Sequence, residues 1–318
     1  MAKERLDKVL VERRLAETRQ KAQALIMAGL VFGDGRRLEK AGRLVPPGLN
    51  ITVQKTLPYV GRGGLKLEEA LDVFKVDAAG RTCADIGSST GGFTDCLLQR
   101  GAARVYAVDV DTRQIDRKLR EDPRVVLIEK NARYLAPGDF PEPPDLFTID
   151  VSFISVIKIL PAIKRVLEKA QGEIATPPSA ARNDNKLDIM PRPKSNEIPR
   201  KTQDDPKGRI ATSSRSRVMA RNDKLVLSLI KPQFEAGKGR VGRTGVVRDA
   251  GVHADVLRRV LGEAADIGFD PRGLVRCSTR GQKGNQEFFV LWSSEGLRPP
   301  PDTVLQWIEE VTRDEHHS

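Results

Sequence analysis

The sequence predicts an α/β protein: a mostly parallel sheet covered by helices, preceded by a small α+β unit. Three observations carry that prediction. Between residues 61 and 170, apolar runs of strand length alternate with segments of helical period, which calls for crossover connections and a covered parallel sheet. One run, Cys83-Ala-Asp-Ile86, leads straight into a glycine-rich turn, Gly87-Ser-Ser-Thr-Gly91-Gly92, and then into a helical pattern. The first 60 residues differ in kind, with 12 Lys/Arg against 6 Asp/Glu and five glycines that cut them into short segments.

In that first zone, Leu6, Val9 and Leu10 fit one helix face, and Ala22, Leu25 and Ile26 fit a second. Glycines then punctuate a β-rich stretch that ends in Leu49-Asn-Ile-Thr-Val53. Beyond it, residues 66–74 read as a helix, 82–86 as a strand, 92–99 as a helix and 105–110 as a strand. A helical segment near 113–120, strands at 125–128 and 146–151, and a helix at 154–169 follow. Residues 171–223 break the pattern. They are rich in Pro, Ser, Arg, Asn and Asp, lack aromatics, and carry 11 basic and 7 acidic groups. Such a stretch cannot bury a core and is expected to be a disordered insertion. The tetrapeptide Ala-Arg-Asn-Asp occurs at 181–184 and again at 220–223, which fits an inserted element or a chance repeat. Order resumes with a strand at 225–230, a helix at 249–265, strands at 274–277 and 288–292, and a short helix at 304–311.

The net charge is +11 over 318 residues, which suits a polyanionic partner such as nucleic acid. Cys83, Cys96 and Cys277 show neither metal-ligand spacing nor a disulfide framework, so no metal is expected and a cytoplasmic setting is the simplest. The N-terminus MAKERLDKVL is charged from the start, unlike a signal peptide. No apolar stretch approaches the roughly 18 residues a membrane span needs, so no membrane partner is expected. His253, His316 and His317 sit in a helix and in the tail, poor positions for catalysis.

The glycine turn narrows the ligand. It lacks the G-x-G-x-x-G spacing of a dinucleotide site and the Gly-Lys-Ser/Thr of a P-loop. Asp85 at its mouth repels phosphate and suits an ammonium. Asp109 ends the next strand, 24 residues on, where it can take both ribose hydroxyls. S-adenosyl-L-methionine, which has no phosphate but has an ammonium and a sulfonium, fits those groups.

Two motifs, Asp85-Ile-Gly-Ser-Ser-Thr-Gly-Gly-Phe-Thr94 and Val105-Tyr-Ala-Val-Asp-Val110, resemble the TlyA (hemolysin A-like) family. So do Gly61-Arg-Gly-Gly-Leu-Lys-Leu67, Asp150-Val-Ser-Phe-Ile-Ser155, Leu229-Ile-Lys-Pro-Gln-Phe-Glu235, Gly245-Val-Val-Arg-Asp249 and Gly284-Asn-Gln-Glu-Phe288. The family is similar to FtsJ-type ribose 2'-O-methyltransferases with an S4 RNA-binding domain in front. Arg5-Leu-Asp7, Thr18-Arg19, Ala22, Ile26, Gly29 and Val31 resemble the S4 unit, with Phe32-Gly-Asp-Gly35 where many members have a Val-Asn-Gly-like turn. The resemblance implies an S4-like RNA-binding domain over residues 1–60. It implies a Rossmann-like, S-adenosylmethionine-dependent methyltransferase domain over 61–318, interrupted at 171–223.

It also implies roles. Lys66, Asp150, Lys231 and Glu287 match the family's catalytic Lys-Asp-Lys-Glu set. Lys231 would accept the proton of a ribose 2'-hydroxyl, Asp150 would orient it, Lys66 would supply positive potential and Glu287 would orient lysine or ribose. Cofactor contacts fall on Asp85, Gly87, Gly91 and Asp109, with Ser89, Thr90 and Phe93 closing the turn on the methionine portion and Asn131 near adenine. Arg5, Arg13, Arg14, Arg19, Lys21, Arg36 and Arg37 are the candidate phosphate contacts to ribosomal RNA or ribosomal subunits. The expected activity is cytidine 2'-O-methylation of ribosomal RNA. A membrane-active hemolysin, an S4-bearing pseudouridine synthase and a non-catalytic RNA-binding protein are the alternatives. The nucleotide, the subunit and the oligomeric state are not legible in the sequence.

Overall fold

The computed structural model describes residues 3–27, 30–53, 58–174, 210–212, 224–237, 239–242, 244–294 and 298–313. The chain forms two compact units, 1–58 and 59–318.

In the first unit, β1 (Glu4–Arg5) leads into α1 (Leu6–Glu12), and α2 (Arg19–Met27) packs against α1. Then come β2 (Val31–Gly33), β3 (Arg36–Arg37), β4 (Leu44–Val45) and β5 (Ile51–Val53). β1 pairs with β4, and β3-β2-β5 form a small antiparallel sheet. The β2–β3 turn is Asp34-Gly35, both at positive φ (46° and 76°), the backbone a two-residue hairpin requires and that Asp-Gly supplies. The apolar positions read from the sequence close one core: Leu6, Val9, Leu10, Ala22 and Ile26 against Val31, Val45 and Ile51.

The second unit runs α3 (Gly63–Phe74), β6 (Thr82–Ile86), α4 (Gly92–Gln99), β7 (Arg104–Asp109), α5 (Arg117–Arg120), β8 (Val125–Glu129), β9 (Leu146–Ile149) and α6 (Leu160–Ile174). It continues with β10 (Ile210–Thr212), β11 (Leu225–Ile230), α7 (Pro232–Glu235), α8 (Ala250–Ile267), β12 (Asp270–Arg276), β13 (Phe288–Ser293) and α9 (Pro301–Thr312). Among the described residues the strands form one sheet in the order β10-β12-β13-β11-β9-β6-β7-β8. The run from β11 to β8 is parallel, and β13, β12 and β10 join antiparallel. Side chains alternate between two cores. Ala84, Ile86, Tyr106, Val226 and Ile230 share a core with α6, α8 and α9. Cys83, Val105, Leu225, Leu227 and Leu229 share the other with α3 and α4. Burial on both faces explains why these strands read as continuous apolar runs.

Three elements differ from expectation. Residues 154–159 are not part of a long helix. Phe153 takes φ 64°, a short turn spans Val156–Lys158, and the helix proper is α6. The 113–120 segment holds only a short turn at Thr112–Gln114 and the single turn of α5, each begun by an aspartate cap from Asp111 or Asp116. Within 171–223, residues 171–174 complete α6 and 210–212 form β10, an edge strand antiparallel to β12. The expectation for the rest of that stretch, including the repeat, lies outside the described residues.

Candidate active site

The chain runs from β6 outward to β7 and β8, then returns to place β9 on the other side of β6. The gap between β6 and β9 is thus a topological switch point, where open parallel sheets leave a crevice at the C-terminal strand ends. The glycine turn leaves β6 there. Gly87 and Gly91 stand at φ 86° and 94°. A Cβ on Gly87 would come within 2.5 Å of the Asp150 carbonyl oxygen, and one on Gly91 would collide with Leu119. Both positions therefore need glycine on conformational and steric grounds. Gly87 N and Ser88 N donate to Val108 O at 2.8 and 3.1 Å, which ties the turn to β7. Asp109 ends β7 and accepts from Ser89 N (2.9 Å) and Asp111 N (3.1 Å).

A cleft of about 330 Å³ opens beside this turn. Its floor is Gly87, Ser88, Ser89, Thr90, Gly92 and Phe93, and its walls include Gly61–Gly63. Four separate elements deliver Lys66, Asp150, Lys231 and Glu287 to it. Lys66 lies on α3, Asp150 just past β9, Lys231 just past β11 and Glu287 just before β13. They meet as two ion pairs. Lys66 Nζ is 2.5 Å from Glu287 Oε2, with the side chains 11% and 3% exposed. Lys231 Nζ is 2.5 Å from Asp150 Oδ1. Withdrawing such pairs from water is costly and gives little net stability; two of them in one cleft make it the candidate active site.

The structure adds residues that the sequence did not single out. Lys231 Nζ also donates to Ser152 Oγ at 3.1 Å. Gln233 Nε2 donates to Glu287 Oε1 at 3.2 Å. Arg62, Arg280 and Phe234 line the cleft. Phe153 is 89% exposed, with its ring centroid 4.8 Å from that of Phe234. Ser152, Phe153, Gln233 and Phe234 fall inside motifs that were legible, but only the fold shows that Ser152, Gln233 and Phe234 line one cleft and that Phe153 packs against Phe234.

Asp85 is not at the mouth of the turn. It is fully buried beneath it and accepts from Thr94 Oγ1 (2.7 Å) and Thr148 Oγ1 (3.4 Å). Burial pushes its carboxyl up to about 7, with the Thr94 hydrogen bond opposing. Its place beneath the turn joins it to α4 through Thr94 and to β9 through Thr148. Asn131 caps the turn after β8, its side-chain oxygen accepting from Arg133 N (3.1 Å) and Arg133 Nε (3.3 Å).

In the first unit the seven basic candidates divide. Arg5 and Arg19 both bind Asp7, Arg5 at 3.1 and 3.0 Å and Arg19 at 2.9 Å. Gln23 Nε2 donates to the same carboxylate at 3.0 Å. Asp7 is fully buried, and the Arg5 guanidinium chiefly holds its carboxyl well below the usual range. Arg13 donates to Pro47 O (2.5 Å) and Leu49 O (2.6 Å), and Lys21 pairs with Glu17, just before α2. Arg14, Arg36 and Arg37 are exposed.

Among the described residues no helix is long and apolar enough to cross a membrane, and no cluster of three His, Cys, Asp or Glu side chains could hold a metal. The residues at the turn suit a nucleoside without phosphate. Ser88 Oγ is a buried polar atom at the cleft without a hydrogen-bond partner, and Asp109 is a carboxylate where a phosphate would be repelled.

Comparison with known proteins agrees with this geometry. The FtsJ-like methyltransferase family matches residues 59–293, and the S4 domain family matches residues 4–51. The chain is 41% identical to YqxC of Bacillus subtilis, over 97% of this chain and 94% of that one. It is 36% identical to the 16S/23S rRNA (cytidine-2'-O)-methyltransferase TlyA of Mycobacterium tuberculosis, over 95% and 92%. A solved structure from Streptococcus thermophilus that carries the hemolysin name covers 98% of this chain and 96% of its own, at TM-score 0.61 and 34% identity. With an S4 domain ahead of a methyltransferase domain, and relatives that share both along nearly their whole length, the chain belongs to the TlyA group of the FtsJ-like methyltransferase family.

Proposed function

We propose that the protein is an S-adenosylmethionine-dependent methyltransferase that modifies a ribose 2'-hydroxyl of ribosomal RNA, with cytidine as the nucleotide. We place its work in the cytoplasm, on ribosomal RNA or ribosomal subunits. The observation that carries the reading is the meeting of the Lys231–Asp150 and Lys66–Glu287 pairs in the cleft beside the glycine turn.

S-adenosylmethionine supplies, when bound, a methyl group already activated on a sulfonium. The difficulty lies with the nucleophile, an alcohol that must be aligned and relieved of its proton. Lys231 takes that proton through Nζ in its neutral form, after Nζ has released its own proton to solvent. Asp150 and Ser152 hold Nζ in place, and Asp150 stabilises the ammonium that results. Lys66 adds positive potential where charge builds on the attacking oxygen, and Glu287, steadied by Gln233, fixes Lys66. The glycine turn holds the methionine portion through its backbone and Ser88, with Ser89, Thr90 and Phe93 beside it. Asp109 takes the ribose hydroxyls, and Asn131 borders the adenine side. Asp85 keeps the turn in shape from below.

The test is to map 2'-O-methyl positions in ribosomal RNA from cells with and without the gene. The RNA or subunits from the deleted cells are then treated with purified protein and S-adenosylmethionine. A cytidine methylated only when the gene is present, and restored in vitro, is the expected result. Identical maps from the two cell types would sink the reading.

A further inference from the structure

The β9–β11 ladder ends at the pair Ile149 and Ser228. Past β9 the backbone continues as an irregular stretch, 150–155, that carries Asp150 and Ser152; past β11 it continues through Lys231 into the single turn of α7. Their separation is no longer set by the ladder, so something else must set it. Toward the cleft, side chains join them: Lys231 with Asp150 and Ser152, and Phe153 with Phe234. At the far end a buried carboxylate joins them. Glu235 is 7% exposed, and its Oε1 accepts from the backbone N–H of Val156 at 2.9 Å.

Glu235 is itself fixed. Arg259 donates to Glu235 Oε2 at 3.0 Å and to the Glu235 carbonyl oxygen at 2.8 Å. Arg259 stands on α8, whose neighbouring Val256, Leu257, Val260 and Leu261 are locked in the core. The connection to Lys231 is short and stiff, because Phe234 N donates to Lys231 O and Ala236 N to Pro232 O, both at 2.9 Å. A rigid helix therefore holds one end of a single turn whose other end carries Lys231, and the same carboxylate holds the stretch that carries Lys231's partners.

We propose that Glu235, anchored by Arg259, is a positioning residue for Lys231, setting the distance between the turn that bears it and the stretch that bears Asp150 and Ser152. This rests on the reading of Lys231 as the proton acceptor. Glu235 touches no reacting atom; its effect is alignment, and a displacement of about 1 Å can cost on the order of 100-fold in rate.

The experiment compares Glu235→Ala, Glu235→Gln and Arg259→Met with the wild type in the full-length protein. It reads single-turnover methyl transfer against pH, KM for ribosomal RNA, S-adenosylhomocysteine affinity and thermal melting. The expected result for Glu235→Ala is a rate loss of about 10- to 100-fold, with RNA KM and ligand affinity within about threefold of wild type. The pH–rate profile should also move by about half a unit or more, because Lys231 no longer sits against its partners. Glu235→Gln keeps an acceptor for Val156 N and should regain most of the rate. Arg259→Met should move the profile the same way, by less. A folded Glu235→Ala protein with an unshifted profile overturns the proposal, and if that variant does not fold, an unshifted profile in Arg259→Met overturns it instead. A wild-type protein that methylates no ribose would refute the proposed function; an active wild type with unshifted variants would refute the positioning role alone.

Discussion

Lys231 Nζ lies 2.5 Å from Asp150 Oδ1, across the ends of two strands, β11 and β9, that are parallel neighbours in the sheet. The pairing follows from the fold: each residue sits just beyond the last residues of an apolar strand, and parallel register brings both to the same edge. Lys231→Ala should lower methyl transfer by about 10²- to 10⁴-fold, the usual worth of a positioned proton acceptor. S-adenosylhomocysteine affinity, measured by calorimetry, should stay within about threefold. Lys231→Arg should not restore activity, since a guanidinium does not give up its proton. Transfer by Lys231→Ala within about tenfold of wild type would remove Lys231 from the role.

Phe153 presents a second relationship, between strain and exposure. A bulky residue at φ 64° is strained, and here the strain accompanies an 89% exposed ring beside the cleft. An exposed aromatic in that place is a platform on which a base can stack, worth about 1–3 kcal/mol per base. Phe153→Gly relieves the backbone and removes the ring. It should therefore raise the melting temperature while lowering kcat/KM for RNA by roughly 10- to 100-fold. Differential scanning calorimetry and steady-state kinetics on one preparation check both halves. An activity equal to wild type would show that the ring does not meet substrate.

Asp85 makes a pH prediction. Its carboxyl is raised from 3.8 to about 7, chiefly by burial. The folded protein then binds more protons than the unfolded chain between those values, so the neutral form favours folding. The stability that Asp85 contributes is complete below about pH 4 and is lost as pH rises through about 7. Asp85→Asn, neutral at every pH, should flatten that part of the melting-temperature profile. A slope between about pH 4 and 7 that is unchanged in Asp85→Asn would show that the carboxyl ionises freely in the fold.

How much of this was legible depends on what the chain must hide. The parallel strands announced themselves because both faces are buried: Leu225–Ile230 is apolar at five of six positions, and the one polar residue, Ser228, accepts a hydrogen bond from Trp292 Nε1 at 2.6 Å. The positions of Lys66, Asp150, Lys231 and Glu287 were legible through motifs, but their division into two ion pairs was not, since it depends on strand order across the 221 positions that separate Lys66 from Glu287. Asp85 misled for a related reason. An aspartate at the end of an apolar run reads as the rim of a turn, and only the contacts with Thr94 and Thr148 reveal it beneath the turn. The 154–159 stretch carries helical spacing, yet the Phe153 backbone and the Glu235–Val156 bond hold its start in another conformation.

The basic residues of the first unit give the last prediction, because the structure separates charges that the sequence lumped together. Arg5 and Arg19 neutralise the buried Asp7, so Arg19→Ala leaves that carboxylate with fewer donors and should destabilise the unit by about 1–3 kcal/mol. Arg36 and Arg37 are exposed on β3, so Arg36→Ala with Arg37→Ala should leave stability within about 0.5 kcal/mol. If those two arginines meet phosphates, the double variant should weaken RNA binding and reduce the slope of log affinity against log salt by about one for each phosphate left without its arginine. Deleting residues 1–58 should weaken RNA binding further still while leaving S-adenosylhomocysteine binding nearly unchanged, since the glycine turn and both ion pairs lie in the second unit. Fluorescence anisotropy with ribosomal RNA across a salt series compares the double variant and the truncated protein with the wild type, and thermal melting reads Arg19→Ala. Equal RNA affinity of the truncated and full-length proteins would refute an RNA-binding role for the first unit. An unchanged salt slope in the double variant would place the phosphate contacts elsewhere on that unit, with Arg14 the next residue to replace.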